Sequence, residues 1–278
     1  MDQGPQLTRL ALFGQPVKAS LSPAIHRMFA DQLELDIRYD LIETGAAGFA
    51  SALESFRLAG GAGCNITLPL KGDAYRLASD CSDAVSLARA ANTLVRQPGG
   101  WFAHNTDGPG LIADLAGNNG VAIAGRGVLV LGAGGAVAGI LGSLLAAGPA
   151  RLVLVNRNLE RARVLADHFG LPDELSVTTW AELPRHPAFD VVINATSLGH
   201  KGEVPPLTAA LFGQGSVCYD LNYHHASEPL KAWCETHGQT YLDGLGMLVE
   251  QAAESFSIWT GQRPDSTAVI HQLRVVQG

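Results

Sequence analysis

The stretch GVLVLGAGGAVAGILGSLLA, residues 127–146, places a glycine-rich turn between a short apolar run and a helix-length apolar segment. Val128 to Leu131 predict a buried strand, and Gly135 to Ala146 predict a helix. Glycines in such a turn let the backbone approach a pyrophosphate, and the helix N-terminus offers free N–H groups and a positive dipole end. The stretch therefore predicts a dinucleotide-binding unit. The alternative is an ordinary glycine-rich turn, because Val137 stands where a third small residue is usual.

The residues after the next apolar run indicate which dinucleotide is bound. Leu152 to Val155 predict the second strand, and its tip continues with Asn156 and Arg157, where NAD-binding folds place an acidic residue for the ribose hydroxyl. Arg161 follows one helical turn later, so two guanidinium groups can face a 2′-phosphate. The pattern favours NADP over NAD. The alternative is that both arginines, with Glu160 between them, are ordinary surface residues.

Short apolar runs alternate with helix-length segments along the whole chain, which is typical of α/β folds with parallel sheets and crossover helices. Strands are predicted at 10–13, 62–66, 128–131, 152–155, 191–193 and 217–219. Helices are predicted at 23–33, 49–58, 109–115, 135–146, 159–169, 229–237 and 246–259. The polar, glycine-rich segment Gly117 to Gly127 is the candidate linker between two domains.

In the N-terminal half, small polar residues gather where predicted strands end or helices begin. Open α/β sheets bind ligands at the carboxyl ends of their strands, so these residues predict a site for a small polyhydroxylated acid. Each of these residues alone is equally consistent with a helix cap or a turn. They are Ser20, Ser22, Asn65, Thr67, Lys71, Asn92 and Asp107.

Composition excludes several classes of protein. The 278 residues contain 19 Lys and Arg against 26 Asp and Glu, a net charge of −7, which argues against a nucleic-acid binder. Apolar residues make up 47% of the chain, enough to exclude disorder. The four cysteines and nine histidines show no metal-ligand spacing, so no metal site is expected, and a cytoplasmic location is predicted. The sequence contains no uninterrupted run of eighteen apolar residues, so no membrane span is predicted.

Taken together, the motifs resemble those of the shikimate dehydrogenases, over nearly the whole chain. These motifs are SLSPAIH at Ser20, NITLPLK at Asn65, NTDGPG at Asn105, GAGGA at Gly132, NRNLER at Asn156, NATSLG at Asn194 and DGLGMLVEQAA at Asp243. The resemblance implies an NADP-dependent oxidoreductase that reversibly reduces 3-dehydroshikimate to shikimate in the pathway to chorismate and aromatic amino acids.

The resemblance also implies a role for each motif residue. Lys71 and Asp107 would be the catalytic pair. The substrate would be bound by Ser20, Ser22, Asn65, Thr67, Asn92, Asp107, Tyr223 and Gln251. The cofactor NADP would be bound by Asp83, Gly132, Ala133, Gly134, Gly135, Ala136, Asn156, Arg157, Arg161, Thr196, Leu221, Gly244 and Met247.

The implied fold has two α/β domains with the active-site cleft between them. Residues 1–107 would form the substrate-binding and catalytic domain, residues 108–244 the Rossmann-like NADP-binding domain, and residues 245–278 C-terminal helices packing back on the first domain. A monomer or homodimer is expected. Two other functions stay open: a quinate/shikimate dehydrogenase of broader specificity, and a non-catalytic ligand sensor on the same fold.

Overall fold

The computed structural model describes residues 7–170 and 173–277. The chain divides into two compact units, the first made of Met1–Gly110 with Leu248–Gly278 and the second of Leu111–Met247. The division falls inside the helix Asp107–Ile112, which continues as a π-helical stretch over Ala113–Asn118. The predicted linker, 117–127, therefore lies within the second unit.

Strands and helices alternate along both units. The strands are β1 (Thr8–Gly14), β2 (Ile37–Glu43), β3 (Gly61–Ile66), β4 (Asp80–Cys81), β5 (Thr93–Gln97), β6 (Gly100–His104), β7 (Gly127–Leu131), β8 (Arg151–Val155), β9 (Leu175–Thr178), β10 (Phe189–Asn194), β11 (Phe212–Asp220) and β12 (Thr240–Leu242). The helices are α1 (Ser22–Gln32), α2 (Ala46–Leu58), α3 (Lys71–Leu77), α4 (Asp83–Ala88), α5 (Asp107–Ile112), α6 (Gly135–Ala146), α7 (Leu159–His168), α8 (Glu228–Thr236), α9 (Leu245–Thr260) and α10 (Ser266–Gln277).

The described part of the first unit has a six-stranded sheet in the order β2-β1-β3-β5-β6-β4. Strand β5 runs antiparallel to both of its neighbours, and the other pairs are parallel. Asn65 at the end of β3 pairs with Thr93 at the start of β5, and Thr93 pairs with His104 at the end of β6. Three chain segments therefore leave or enter the sheet at one edge.

The second sheet, in the order β9-β8-β7-β10-β11-β12, is parallel throughout. Strand order reverses direction between β7 and β10, and ligands of open α/β sheets bind outside the carboxyl ends of the strands at such a point. The turn after β7 is the glycine-rich stretch that begins at Gly132. The two-domain α/β fold is confirmed.

Each unit has its own apolar core. In the first, Phe13 packs edge-on against Phe49 and Phe56, with ring centroids 5.7 and 5.6 Å apart. In the second, strand β7 is buried along its whole length, and Leu129 and Leu131 pack in one apolar cluster with residues of β8, β10 and β11. Within the described residues, no helix combines the length and the apolar character needed to cross a membrane.

The elements that the sequence analysis did not predict are mostly half-exposed strands. Strand β2 has only half-buried and exposed positions and carries Arg38 and Asp40, so it contains no apolar run. The hairpin of β5 and β6 turns at Gly99 and Gly100, both of which have positive φ. Predicted helices agree with the structure to within about three residues at most ends, and α5 begins earlier, at Asp107.

Candidate active site

An ion pair lies at the edge of the first sheet where β3 and β6 end. Lys71 is the first residue of α3, Asp107 is the first residue of α5, and the Lys71 Nζ atom contacts the Asp107 Oδ2 atom. The two side chains are 16% and 8% exposed, so the pair is shielded yet reachable. The amide of Asn92 donates to the other carboxylate oxygen over 2.9 Å. Such a charged pair can present a proton donor to a ligand oxygen.

The Asn92 side chain is held in a fixed orientation. Its Oδ1 atom accepts from the backbone N–H of Thr106 over 2.8 Å, and its Nδ2 atom lies 2.9 Å from the Thr106 hydroxyl. The same Nδ2 atom lies 3.2 Å from Oε1 of Gln251 on α9. The structure therefore brings Asn92, Asp107 and Gln251, three of the predicted substrate residues, into one network with Lys71.

Asn65 lies behind this network, almost fully buried. Its Oδ1 atom accepts from the Tyr39 hydroxyl over 2.8 Å and lies 3.2 Å from Nε2 of His26. Its Nδ2 atom lies 3.1 Å from Thr93 Oγ1 and 3.0 Å from Ser255 Oγ. Burial lowers the pKa of His26 to about 3, so the ring is neutral and donates its Nε2 proton to Asn65.

Ser20 and Ser22 follow β1, with Ser20 in the loop and Ser22 as the first residue of α1. Ser20 Oγ donates to Ser22 Oγ over 3.1 Å and accepts from the Ser22 backbone N–H over 3.2 Å. Helix α1 begins at Ser22 and makes no side-chain cap, so the sequence alternative that Ser22 is an N-cap is wrong. Both hydroxyls are at a helix N-terminus, which favours a negatively charged ligand group.

Thr67 directly follows β3, at the same edge. Its backbone N–H donates to the carbonyl of Phe13 over 2.9 Å. A Cβ atom on Gly14 would lie only 2.3 Å from the Thr67 methyl group, so glycine is needed there to admit this side chain. Asp83, a predicted cofactor residue, is the first residue of α4 and belongs to the first unit.

The glycine-rich turn of the second unit has the geometry that phosphate binding requires. Gly132 has φ +119°, and a Cβ atom built on it would lie 3.1 Å from the carbonyl oxygen of Ala195. Gly134 is extended and precedes α6, which opens with Gly135 and Ala136. The turn therefore leaves backbone N–H groups of the first helical turn free for an anion.

Arg161, one of the two arginines predicted to select NADP, lies beside this turn. Asn158 caps α7 by accepting from the Arg161 backbone N–H over 3.1 Å. A Cβ atom on Gly134 would lie 3.9 Å from Arg161 Nη2, which places that guanidinium at the turn. Asn156 Nδ2 donates to the Asn158 carbonyl over 2.8 Å, and Arg157 is exposed. Among the described residues, neither guanidinium has a hydrogen-bond or ion-pair partner, so both fit an incoming phosphate.

The remaining predicted residues of the second unit are at the ends of β10 and β11 or just after β12. Thr196 follows β10, and Leu221 and Tyr223 follow β11. A Cβ atom on Gly244 would lie 2.4 Å from the Leu221 carbonyl oxygen, so these two backbones are in close contact. Met247 is nearly buried in the first turn of α9.

Sequence reasoning missed the buried hydroxyls that support the network around Asn92. Thr93, Thr106 and Ser255 are all within 1% of full burial, and Ser255 Oγ lies 2.8 Å from Thr93 Oγ1 and 3.1 Å from Thr106 Oγ1. Ser255 follows Gln251 by four residues, so helical spacing places both on one face of α9. That spacing is the signal from which Ser255 could have been found. In the part of the chain described, no three His, Cys, Asp or Glu residues are grouped to hold a metal ion.

Three family models match the chain in succession. Residues 12–94 match the shikimate dehydrogenase substrate binding domain, residues 114–201 the shikimate/quinate 5-dehydrogenase model, and residues 244–274 the shikimate 5′-dehydrogenase C-terminal domain.

Whole proteins are similar over almost their full lengths. The NADP(+)-dependent shikimate dehydrogenase of Alkalilimnicola ehrlichii is 45% identical over 267 residues, which cover 96% of this chain and 98% of that protein. An Ael1 enzyme from Pseudomonas putida superposes with a TM-score of 0.89 at 41% identity, covering 96% of this chain and 98% of the other. Shikimate 5-dehydrogenase from Thermus thermophilus, solved with NADP(H) and shikimate, has a TM-score of 0.83 at 31% identity and the same coverage.

Proposed function

Since this chain belongs to the shikimate dehydrogenase family, we propose that Lys71 and Asp107 are the catalytic pair of its reaction. The protein is an NADP-dependent oxidoreductase that reversibly reduces 3-dehydroshikimate to shikimate, a step toward chorismate and the aromatic amino acids. The observation that supports the catalytic assignment best is the shielded contact between the Lys71 ammonium and the Asp107 carboxylate.

Reduction of a ketone needs a hydride at carbon and a proton at oxygen. Bound NADPH supplies the hydride. The Lys71 ammonium donates a proton to the carbonyl oxygen as negative charge develops there, and the lysine then recovers a proton from solvent. Asp107 keeps the ammonium oriented and stabilises its charged form, because an opposite charge at contact distance favours ionisation. In the direction of shikimate oxidation, neutral Lys71 accepts the hydroxyl proton.

The substrate residues divide by the chemistry of the group they bind. Ser20, Ser22 and Tyr223 would hold the carboxylate through hydroxyl donors. The ring hydroxyls would be bound by amide, hydroxyl and carboxylate groups, which can both donate and accept. These are Asn65, Thr67, Asn92, Asp107 and Gln251. Asn92 already contacts both Asp107 and Gln251, so a ring hydroxyl at this point would meet three polar partners.

The cofactor residues likewise have separate tasks. Gly132, Ala133, Gly134, Gly135 and Ala136 would hold the pyrophosphate on backbone N–H groups at the start of α6. Arg157 and Arg161 would clamp the 2′-phosphate, with Asn156 beside them. Asp83, Thr196, Leu221, Gly244 and Met247 would contact the nicotinamide half.

Two other functions make different experimental predictions. A quinate/shikimate dehydrogenase of broader specificity would oxidise quinate at a comparable rate, and a ligand sensor would bind shikimate without turnover. The intact Lys71–Asp107 pair supports an enzyme, since a sensor needs no proton donor. We further propose a monomer or homodimer working in the reducing cytoplasm, because the four cysteines are free thiols.

The test is to mix purified protein with NADP or NAD and with shikimate or quinate, and to follow the absorbance of the reduced cofactor. The proposal predicts fast reduction of NADP with shikimate and slower reaction in the other three combinations. Binding of shikimate without reduction of either cofactor would contradict the enzyme assignment. Equal rates with NADP and NAD would contradict the role of the two arginines.

A further inference from the structure

A buried carboxylate that belongs to none of the predicted sites joins the ends of β10 and β11. Asp220 is the last residue of β11 and is fully buried. Its Oδ1 atom accepts three hydrogen bonds: from Asn194 Nδ2 over 2.9 Å, from the Asn222 backbone N–H over 3.0 Å and from Asn222 Nδ2 over 2.8 Å. The Oδ1 atom of Asp220 therefore links the end of β10 to the loop that follows β11.

The partners of Asp220 extend this connection to Thr196. Asn194 Oδ1 accepts from the Thr196 backbone N–H over 3.1 Å and from the Thr196 hydroxyl over 2.8 Å. Asn222 Nδ2 also donates to the Thr196 carbonyl over 3.1 Å. The segments 194–196 and 220–222 are joined by one backbone hydrogen bond, from the Leu221 N–H to the Asn194 carbonyl over 2.9 Å, and beyond it by these side-chain hydrogen bonds.

These two segments carry Thr196 and Leu221, which the proposed function assigns to the nicotinamide half of NADP, and Tyr223 follows at once. We infer that Asp220 is a positioning residue that fixes both loops in the geometry that binds the cofactor. Asp220 itself is not proposed to touch cofactor or substrate. We call the hydrogen bonds of Asp220 with Asn194 and Asn222 the clamp. The clamp itself rests on these hydrogen bonds alone, whereas the identity of the ligand rests on the proposed function.

The surroundings of Asp220 make its charge sensitive to pH. Burial raises the pKa of Asp220 to about 6, although hydrogen bonds from Asn222 and Asn194 oppose the shift. In the described part of the chain, three titratable groups surround Asp220. The Tyr241 hydroxyl on β12 lies 3.4 Å from Oδ2, and the other two groups are the thiols of Cys218 on β11 and Cys234 on α8. Asp243 is near Tyr241. A protonated Asp220 keeps its acceptor oxygen but loses the charge that strengthens the three bonds.

The test compares Asp220→Ala, Asp220→Asn and the control Tyr241→Phe, which removes the long contacts of that hydroxyl to Asp220 Oδ2 and to the Ser227 carbonyl but none of the three bonds to Oδ1. Amide hydrogen exchange of the full-length protein without cofactor, read at residues 194–196 and 220–223, reports the clamp directly. Equilibrium titration with NADPH at about pH 8 and about pH 5 reports its effect on binding.

We expect Asp220→Ala to speed exchange in both segments and to weaken NADPH binding roughly tenfold, because three N–H groups lose their acceptor. Asp220→Asn keeps an acceptor oxygen and should stay within about threefold of the wild type. Wild-type affinity should fall between the two pH values by more than that of Asp220→Asn, and Tyr241→Phe should behave like the wild type.

Unchanged exchange in a folded Asp220→Ala variant would overturn the inference. If that variant does not fold, an identical pH response of the wild type and Asp220→Asn overturns it instead. Failure of the wild type to reduce NADP with shikimate would overturn the proposed function but not the clamp, which hydrogen exchange measures without any ligand.

Discussion

Lys71 and Asp107 are in contact although 36 residues separate them in sequence. They meet because β3 and β6 point the same way on either side of the antiparallel strand β5, so the chain leaves both strands at one sheet edge. Each residue then begins a helix, α3 or α5, and the start of β5 brings Asn92 to the same place. The order of the strands thus assembles the proton donor, its carboxylate and the amide that orients it.

Asp107→Asn should lower kcat and also raise KM for shikimate. The variant leaves Lys71 without a charged partner and alters a group proposed to bind a ring hydroxyl, and loss of one charged hydrogen bond costs about 1.5–3 kcal/mol. Steady-state kinetics on shikimate and NADP give both constants. Asp73→Asn on α3, which breaks only the exposed pair with Arg76, is the matched control. An Asp107→Asn enzyme with unchanged KM would argue against hydroxyl binding by Asp107.

Arg157→Ala and Arg161→Ala should each weaken NADPH binding more than about tenfold and leave NADH binding nearly unchanged, since a charge-assisted hydrogen bond is worth about 1.5–3 kcal/mol and 1.4 kcal/mol is tenfold. Fluorescence titration with both cofactors measures this. Arg163→Ala, an exposed position on the same helix, should change neither. Equal losses for the two cofactors would show that the arginines do not read the phosphate.

His26 should make the protein less stable in acid. Its pKa is lowered from 6.5 to about 3 by burial, so below about pH 6.5 the unfolded chain binds a proton that the folded chain does not. Stability from this residue then falls by about 1.4 kcal/mol per pH unit as the pH drops toward 3. Asp220, whose pKa burial raises to about 6, acts in the opposite direction, so the readout is a difference between two proteins.

That difference is the free energy of unfolding of the wild type minus that of His26→Gln, obtained by urea denaturation at several pH values. It should become less favourable to the wild type as the pH falls below 6.5, because only the wild type has this histidine to protonate. A difference that stays constant from neutral to acid pH would mean that His26 is not buried as described.

Shikimate should be preferred over quinate by at least about tenfold to a hundredfold in kcat/KM. Quinate adds a hydroxyl beside the carboxylate, and an unpaired buried hydroxyl costs about 1–3 kcal/mol. Ser20 and Ser22 already bond to each other, so both hydroxyls are committed once the carboxylate is bound. Ser20→Ala should reduce activity on both acids alike. Comparable kcat/KM values for the two acids would refute this specificity and leave the dehydrogenase assignment standing.

The second unit could be predicted from the sequence in most of its detail. Strands β7, β8 and β10 and the end of β11 are buried and mostly apolar, and the glycine-rich turn lies directly between β7 and α6. Parallel strands that are buried on both faces are continuous apolar runs, and such runs can be recognised in the sequence without knowing which strands pair with them.

The first unit was harder to predict from the sequence, because the arrangement of its site depends on how its strands pair and not on local composition. Asn92 precedes β5, so its place beside Asp107 depends on the antiparallel direction of that strand, which no local pattern states. Tyr39 and Ser255 reach Asn65 from β2 and from α9, far apart in sequence. The pattern of polar residues singled out Lys71 and Asp107, and the resemblance to a family supplied their catalytic role and Gln251, whereas their buried supports became visible only through the fold.

The central claim is that the Lys71 ammonium donates the proton to the substrate oxygen. The measurement is kcat and KM for shikimate oxidation by NADP with Lys71→Ala, beside Lys231→Ala as a control at an exposed lysine. We predict that kcat falls by about 10²–10⁴-fold for Lys71→Ala, the usual contribution of a positioned acid or base, while KM changes little. Lys231→Ala should match the wild type. A Lys71→Ala enzyme that keeps more than about a tenth of the wild-type rate would contradict the claim, because another group would then accept the hydroxyl proton in oxidation and, by reversal, supply it in reduction.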